Sequence, residues 1–269
     1  MQIQAIKTFL LQDFMDSPEI SGRVHSVFEH AINFECNDTL ITLLCDENIG
    51  TPDSIVITFR DFQLLKNIKA TQDITFGNKK IIVDKFVINF TDSVNFKNSF
   101  PSGILASKQE IEKRKKLFGF YHTLPERAEI KFTELFLAIK NKNQNDCVNI
   151  LKKLIGLGSG LTPSADDALI GILSVLEFHS KAGLEISDNL ASIIYNISEN
   201  RTTDVSRKYF KCAYQKRFSL PLINVVRSLF ENDFKFDFPA LAKLLNTGHS
   251  SGKDTMRGII LAQNLLYKI

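Results

Sequence analysis

Ile155-Gly156-Leu157-Gly158-Ser159-Gly160-Leu161-Thr162-Pro163-Ser164-Ala165-Asp166-Asp167 runs directly into Ala168-Leu169-Ile170-Gly171-Ile172-Leu173-Ser174-Val175-Leu176. Glycine at 156, 158 and 160 frees the backbone for φ > 0 and for close approach to a ligand. Thr162-Pro163-Ser164 predicts a helix start, with Pro163 in the first turn and Thr162 or Ser164 as cap. Asp166 and Asp167 fall in that first turn, where negative charge complements the helix dipole. The run behind them is apolar nearly all round, which predicts a buried helix. A glycine turn feeding a buried helix is one way to build an anion site from backbone N–H groups.

Downstream of this stretch, and for some distance upstream, the pattern is helical. Apolar residues recur at three- and four-residue spacing near 105–117, 125–140, 144–155, 164–181, 186–200, 203–216, 220–231, 237–246 and 252–268. Pro125, Pro163, Pro221 and Pro239 sit where helices would begin. The N-terminal part differs. Ile3, Ile6, Phe9, Leu10 and Phe14 predict an amphipathic helix over 1–16. Period-two strands follow at 24–28, 39–44, 54–59 and 81–90, the last as one strand or a split pair. The expectation is an α+β protein. A small, mostly antiparallel β domain with its N-terminal helix covers 1–100, and an all-helical domain with the glycine-loop motifs covers 104–269.

Composition narrows the function classes. The 269 residues are 44% hydrophobic with a net charge of +3, too little to argue for nucleic acid. No apolar run approaches a membrane span, and no export signal is seen. Cys36, Cys45, Cys147 and Cys212 show no metal spacing. Reduced, buried cysteines fit a cytoplasmic protein. There is no phosphate-gripping Gly-x-x-x-x-Gly-Lys-Ser/Thr loop. Ser159 lies between glycines, but a helix precedes it where a nucleophile elbow needs a strand.

Ser251-Gly252-Lys253-Asp254-Thr255-Met256-Arg257-Gly258-Ile259 repeats the skeleton of Ser164-Ala165-Asp166-Asp167-Ala168-Leu169-Ile170-Gly171-Ile172. Each copy follows a glycine turn, at Gly158 and Gly248. Ser, Asp and Gly at i, i+3 and i+7 share one helix face. Both helices thus present a small acidic strip, Ser164, Asp167, Gly171 and Ser251, Asp254, Gly258. We expect the two starts to adjoin and share one pocket. The plain alternative is two separate caps, with Asp balancing the dipole and Gly allowing packing. Arg201-Thr202-Thr203-Asp204-Val205-Ser206-Arg207 opens another helix, capped by Thr203 or Thr202. Arg201 offers a planar fork for carboxylate or phosphate, or is simply an exposed arginine at a capped start. His249, in the second glycine turn, is a candidate acid or base.

The glycine stretch, together with Gly22-Arg23-Val24-His25-Ser26-Val27-Phe28, Arg201-Thr202-Thr203-Asp204-Val205-Ser206 and Gly248-His249-Ser250-Ser251-Gly252-Lys253-Asp254-Thr255, resembles a bacterial family long described as a domain of unknown function. That family includes the AllH-type subunit of oxamate carbamoyltransferase, from allantoin breakdown. Ala165 departs from it, since the family usually has glycine there. The resemblance implies a subunit acting with two further carbamoyltransferase subunits, one similar to acyl-CoA synthetase subunits, and inactive alone. The implied reaction is phosphorolysis of oxalurate to oxamate and carbamoyl phosphate. Asp167, Asp254 and His249 are then the candidate catalytic residues. Gly158, Ser159, Gly160, Thr162, Ser164, Asp166, Arg201, Thr203, Ser250 and Ser251 would surround a small amide-bearing anion. Carboxylates there would accept amide N–H or hold a bridging Mg²⁺; no dedicated metal ligand set stands out. The alternative is a non-catalytic metabolite-binding or scaffold subunit of a synthetase-like enzyme.

Overall fold

A computed structural model describes residues 1–10, 16–37, 39–46, 49–117, 124–183 and 189–267. The chain divides into two compact units, Met1–Asn98 and Ser99–Ile269.

The first unit is a ten-stranded mixed sheet. Its strands are β1 (Gln2–Gln4), β2 (Lys7–Thr8), β3 (Ile20–Val27), β4 (Ala31–Cys36), β5 (Thr39–Leu44), β6 (Ser54–Val56), β7 (Asp73–Gly77), β8 (Lys80–Val83), β9 (Phe86–Asn89) and β10 (Val94–Asn95). The order is β1-β9-β8-β7-β3-β4-β5-β6-β2-β10. Pairs β1–β9, β5–β6 and β2–β10 are parallel. This corrects the expectation of a small, mostly antiparallel domain.

The sheet is also curled. Laid flat, β1 and β2 would lie about 38 Å apart at about 4.8 Å per strand. Yet Gln4 and Lys7 are only three steps apart, about 10 Å of chain at most. One segment bridges both edges: Ala5 N–H donates to the Asn89 carbonyl (2.8 Å) and Ile6 N–H to that of Val56 (2.7 Å). The helix expected over 1–16 is therefore overturned for the described residues 1–10. Ile3 and Ala5 are buried while Gln4 and Ile6 are exposed, the alternation of a strand. Phe14 lies outside the described residues.

Strands β4, β7 and β10 lie outside the expected strands, and β6 and the helix behind it also differ from expectation. In β4 a buried polar residue, Asn33, interrupts the apolar pattern; it accepts from the Thr42 hydroxyl (2.8 Å) and donates to that of Ser26 (3.0 Å). The strand expected over 54–59 stops at Val56, and Thr58 caps helix α1 (Phe59–Leu64) by accepting from Asp61 N–H at 3.0 Å. Phe34, Ile41, Phe76, Ile81, Ile88 and Phe90 fill the core of this unit.

The second unit is helical: α2 (Lys108–Lys115), α3 (Glu126–Lys140), α4 (Gln144–Leu154), α5 (Ser164–Lys181), α6 (Asn189–Ile197), α7 (Asp204–Tyr214), α8 (Leu220–Phe230), α9 (Phe238–Leu245) and α10 (Ser251–Tyr267). Pro125 and Pro163 take the N-cap positions of α3 and α5, and Pro221 and Pro239 lie in the first turns of α8 and α9. Helix α5 is the centre. Leu169, Ile172, Val175 and Phe178 are fully buried, and α7, α8 and α10 pack around it. Near the far end of the α5–α10 pair, His179 is wholly buried. Its Nδ1 donates to the Val175 carbonyl (2.8 Å), which can only accept. Nε2 is then the acceptor for the Tyr267 hydroxyl (2.7 Å). Burial pulls this imidazole down to about 4, so it stays neutral.

Candidate functional site

The repeated skeleton places α5 and α10 backbone to backbone. A Cβ on Gly171 would lie 2.1 Å from the Thr255 carbonyl oxygen, and one on Gly258 would lie 2.0 Å from that of Ala168. The crossing is reciprocal, since each glycine admits the other helix. It brings the two starts together: the Ser251 hydroxyl bonds Asp167, and Asp254 acts on it electrostatically.

The three carboxylates there differ in their surroundings. Asp166 is a latch. Its Oδ1 accepts the Gly156 N–H at 2.8 Å, and its Oδ2 accepts the Thr202 hydroxyl. Gly156 (φ +81°) lies so close to this segment that a Cβ would meet the Arg201 carbonyl oxygen at 2.1 Å. The Thr203 hydroxyl donates to the Leu161 carbonyl and also caps α7 by accepting from Ser206 N–H. The glycine loop and the 201–203 segment are thus fastened together. Burial raises the Asp166 carboxyl, and Thr202 and Gly156 oppose that rise.

Asp167 and Asp254 are less fully partnered. Asp167 is 6% exposed and its Oδ2 is bonded to no described residue. Asp254 is 0% exposed, and neither of its oxygens has a hydrogen-bonding partner among the described residues. Burial pushes the Asp167 carboxyl up to about 8; the hydroxyls of Ser251 and Thr162 hold it lower, and the charges of Asp254 and Asp166 push it higher. Thr162, Ser164 and Ser251, half-exposed, form the outer edge of the two starts, while Asp167 and Asp254 are buried. The starts adjoin, and both inner carboxylates are buried, Asp254 more deeply than Asp167.

Backbone donors are scarcer than the sequence predicts. Ala165 N–H donates to the Leu157 carbonyl and Gly252 N–H to that of Thr247, both at 3.0 Å. Gly158 (φ +135°) packs against the Ser164 backbone, whereas Gly160 (φ +89°) faces open space, with Ser159 exposed beside it. Arg201 is exposed, its Nη1 3.5 Å from the Lys152 carbonyl. His249 is exposed in its turn, and the adjacent Ser250 carbonyl accepts Asp254 N–H at 2.9 Å. Among the described residues no group of three His, Cys, Asp or Glu side chains is disposed to hold a metal ion. A cavity of about 870 Å³ lies elsewhere in this unit, between Phe136, Leu137, Leu190, Ile193 and Leu265. Its walls are mostly apolar.

Two contributors escape sequence reasoning. Thr202, read only as an alternative cap, is the Asp166 donor. Tyr209 on α7 is electrostatically coupled to Asp167; burial, then Cys212 and Asp167, push its phenol above its ordinary range, so it remains an O–H. Nothing in the pattern of α7 marks Tyr209 as other than an amphipathic-helix aromatic.

Two family models match this architecture. The AllH family N-terminal domain matches residues 3–96, and the oxamate carbamoyltransferase subunit AllH matches residues 154–263. The chain belongs to the AllH family. The second AllH match runs from the glycine loop through both helix starts and past their crossing. The family is named for a subunit of a multi-subunit enzyme, which implies partner subunits. No solved structure matches the chain. Among the described residues no helix is long and apolar enough to cross a membrane.

Proposed function

We propose that this chain is the subunit of a cytoplasmic oxamate carbamoyltransferase that receives the amide-bearing anion at the α5–α10 helix starts. The observation that carries this is the half-exposed edge of Thr162, Ser164 and Ser251 beside Asp167, whose Oδ2 is unpartnered. Oxamate and oxalurate each carry a carboxylate and amide N–H groups. The Ser164 hydroxyl donates to their oxygens, while those of Thr162 and Ser251 hold Asp167. The Asp167 carboxyl accepts an amide N–H, a pairing that bare phosphate cannot make. Arg201, exposed beside the latched loop, supplies the fork for an anionic end, so Arg201→Lys should weaken binding while keeping the charge. Two further subunits, one similar to acyl-CoA synthetase subunits, complete the enzyme of allantoin breakdown.

Co-purification with the partner subunits and assay of carbamoyl phosphate consumption with oxamate tests the reading. The assembly should turn over and the isolated chain should show little activity. Robust turnover by the isolated chain would refute the subunit role. A non-catalytic, metabolite-binding subunit is the second reading, favoured by one observation: both inner carboxylates are buried. It predicts that Asp167→Asn changes ligand binding and leaves turnover of the assembly intact.

A further inference from the structure

The lining of the 870 Å³ cavity grades from core to surface. Cys147 on α4, Leu176 on α5, Leu190 on α6 and Leu261 on α10 belong to the hydrophobic core, yet each keeps 7–8% of its surface exposed where it borders the cavity. Ile193 and Leu265 above them are half-buried. Lys140, at the end of α3, and Lys142, in the turn before α4, are exposed at the rim. A concavity of this size falls within the range of about 300–1,000 Å³ that holds small molecules.

The charge of the lining is one-sided. Among the described residues it contains these two lysines and no acidic side chain. The carboxylates nearest to them in sequence are engaged elsewhere, Glu134 with Lys131 at 2.5 Å and Asp146 with Asn143 at 2.6 Å. Asn264 on α10 also borders the cavity. Its Oδ1 accepts from Lys115 Nζ at 2.8 Å, so its amide nitrogen is left to donate. Apolar walls with cations at the rim fit an apolar body that has one anionic end.

We propose that this cavity binds a straight-chain aliphatic carboxylate, with the hydrocarbon chain against the apolar walls and the carboxylate at Lys140 and Lys142. A small anion gains nothing from the walls, and a cationic amphiphile is repelled at the rim. The deepest residues are barely exposed, so the space above them is narrow. A methylene chain enters it, whereas the helix of a partner protein, about 10–12 Å across, rests on the rim. The inference is independent of the carbamoyltransfer reading. Leu176 lies twelve residues along α5 from Ser164, about 18 Å at 1.5 Å per residue, so a ligand here leaves the helix starts free.

Calorimetric titration of the full-length chain with decanoate, kept below micelle formation, tests the proposal. Binding should saturate at one ligand per chain. Octanoate should bind about tenfold more weakly, because each buried methylene tightens binding about fourfold. Decanol and decyltrimethylammonium should also bind about tenfold more weakly, or worse, for want of the anionic end. Lys140→Gln with Lys142→Gln changes only exposed side chains and should erase the preference for decanoate over decanol. Leu265→Trp should fill the cavity and abolish binding at an unchanged melting temperature. Should that variant not fold, Thr133→Trp at the exposed rim blocks the same cavity. Absence of saturable decanoate binding would overturn the proposal. So would equal binding of decanoate and decyltrimethylammonium, or binding that a folded tryptophan variant leaves untouched. Decanoate that binds the isolated chain and is shut out of the assembled enzyme would give the cavity to a partner subunit, which also overturns it.

Discussion

Asp166 and Asp167 are adjacent, yet protein donors fill both oxygens of the first and leave one oxygen of the second unpartnered. Their substitutions should therefore differ in kind. Thr202→Val strips a donor from a buried carboxylate and should cost about 1–3 kcal/mol, read from the urea midpoint. Asp167 affects stability through pH. Its folded carboxyl is held up to about 8, while in the unfolded chain it ionises near 4. The folded state therefore keeps a proton that the unfolded state releases, and stability falls as pH rises from about 4 to about 8. Asp167→Asn removes that loss, so thermal melts should show the variant gaining on the wild type across this window. A gap that stays constant with pH would contradict the assignment. At this scale the Ser, Asp and Gly skeleton was legible because its spacing repeats. The latch was not, because Thr202 and Asp166 are far apart in sequence and meet only once the glycine loop folds back.

The crossing of α5 and α10 depends on two missing side chains. Gly171→Ala or Gly258→Ala puts a methyl group about 2 Å from a backbone carbonyl of the facing helix. Neither helix can yield locally, so each should cost about 3 kcal/mol or more and lower the melting temperature accordingly. Gly160→Ala meets open space and carries only the strain of its positive φ, about 1–2 kcal/mol. Equal melting shifts for the three would mean that the helices are not in backbone contact. The helix starts could be read from proline positions and apolar spacing, both local signals. The sheet could be read only in part. Ile3, Ile6, Phe9 and Leu10 fit a helix face as well as a strand that bridges two edges, and no local pattern gives a strand's direction. The parallel pairs depend on where the chain returns.

For the whole molecule, the AllH matches cover both units, while every group assigned to the site belongs to the second. The central claim is that the adjoining helix starts recognise an anion by its amide end. Oxamate and oxalate are nearly the same size and both bear a carboxylate, but oxalate has a second carboxylate where oxamate has the amide. The Asp167 carboxyl accepts the amide N–H of the first ligand and finds no N–H on the second, and a site built on that contrast discriminates by about tenfold or more. Calorimetric binding of the two ligands to the assembled enzyme, wild type and Asp167→Asn, is the direct test. The account predicts that oxamate binds about tenfold tighter or better in the wild type and that Asp167→Asn collapses the preference. Equal binding of the two in the wild type, or a preference untouched by Asp167→Asn, would contradict it.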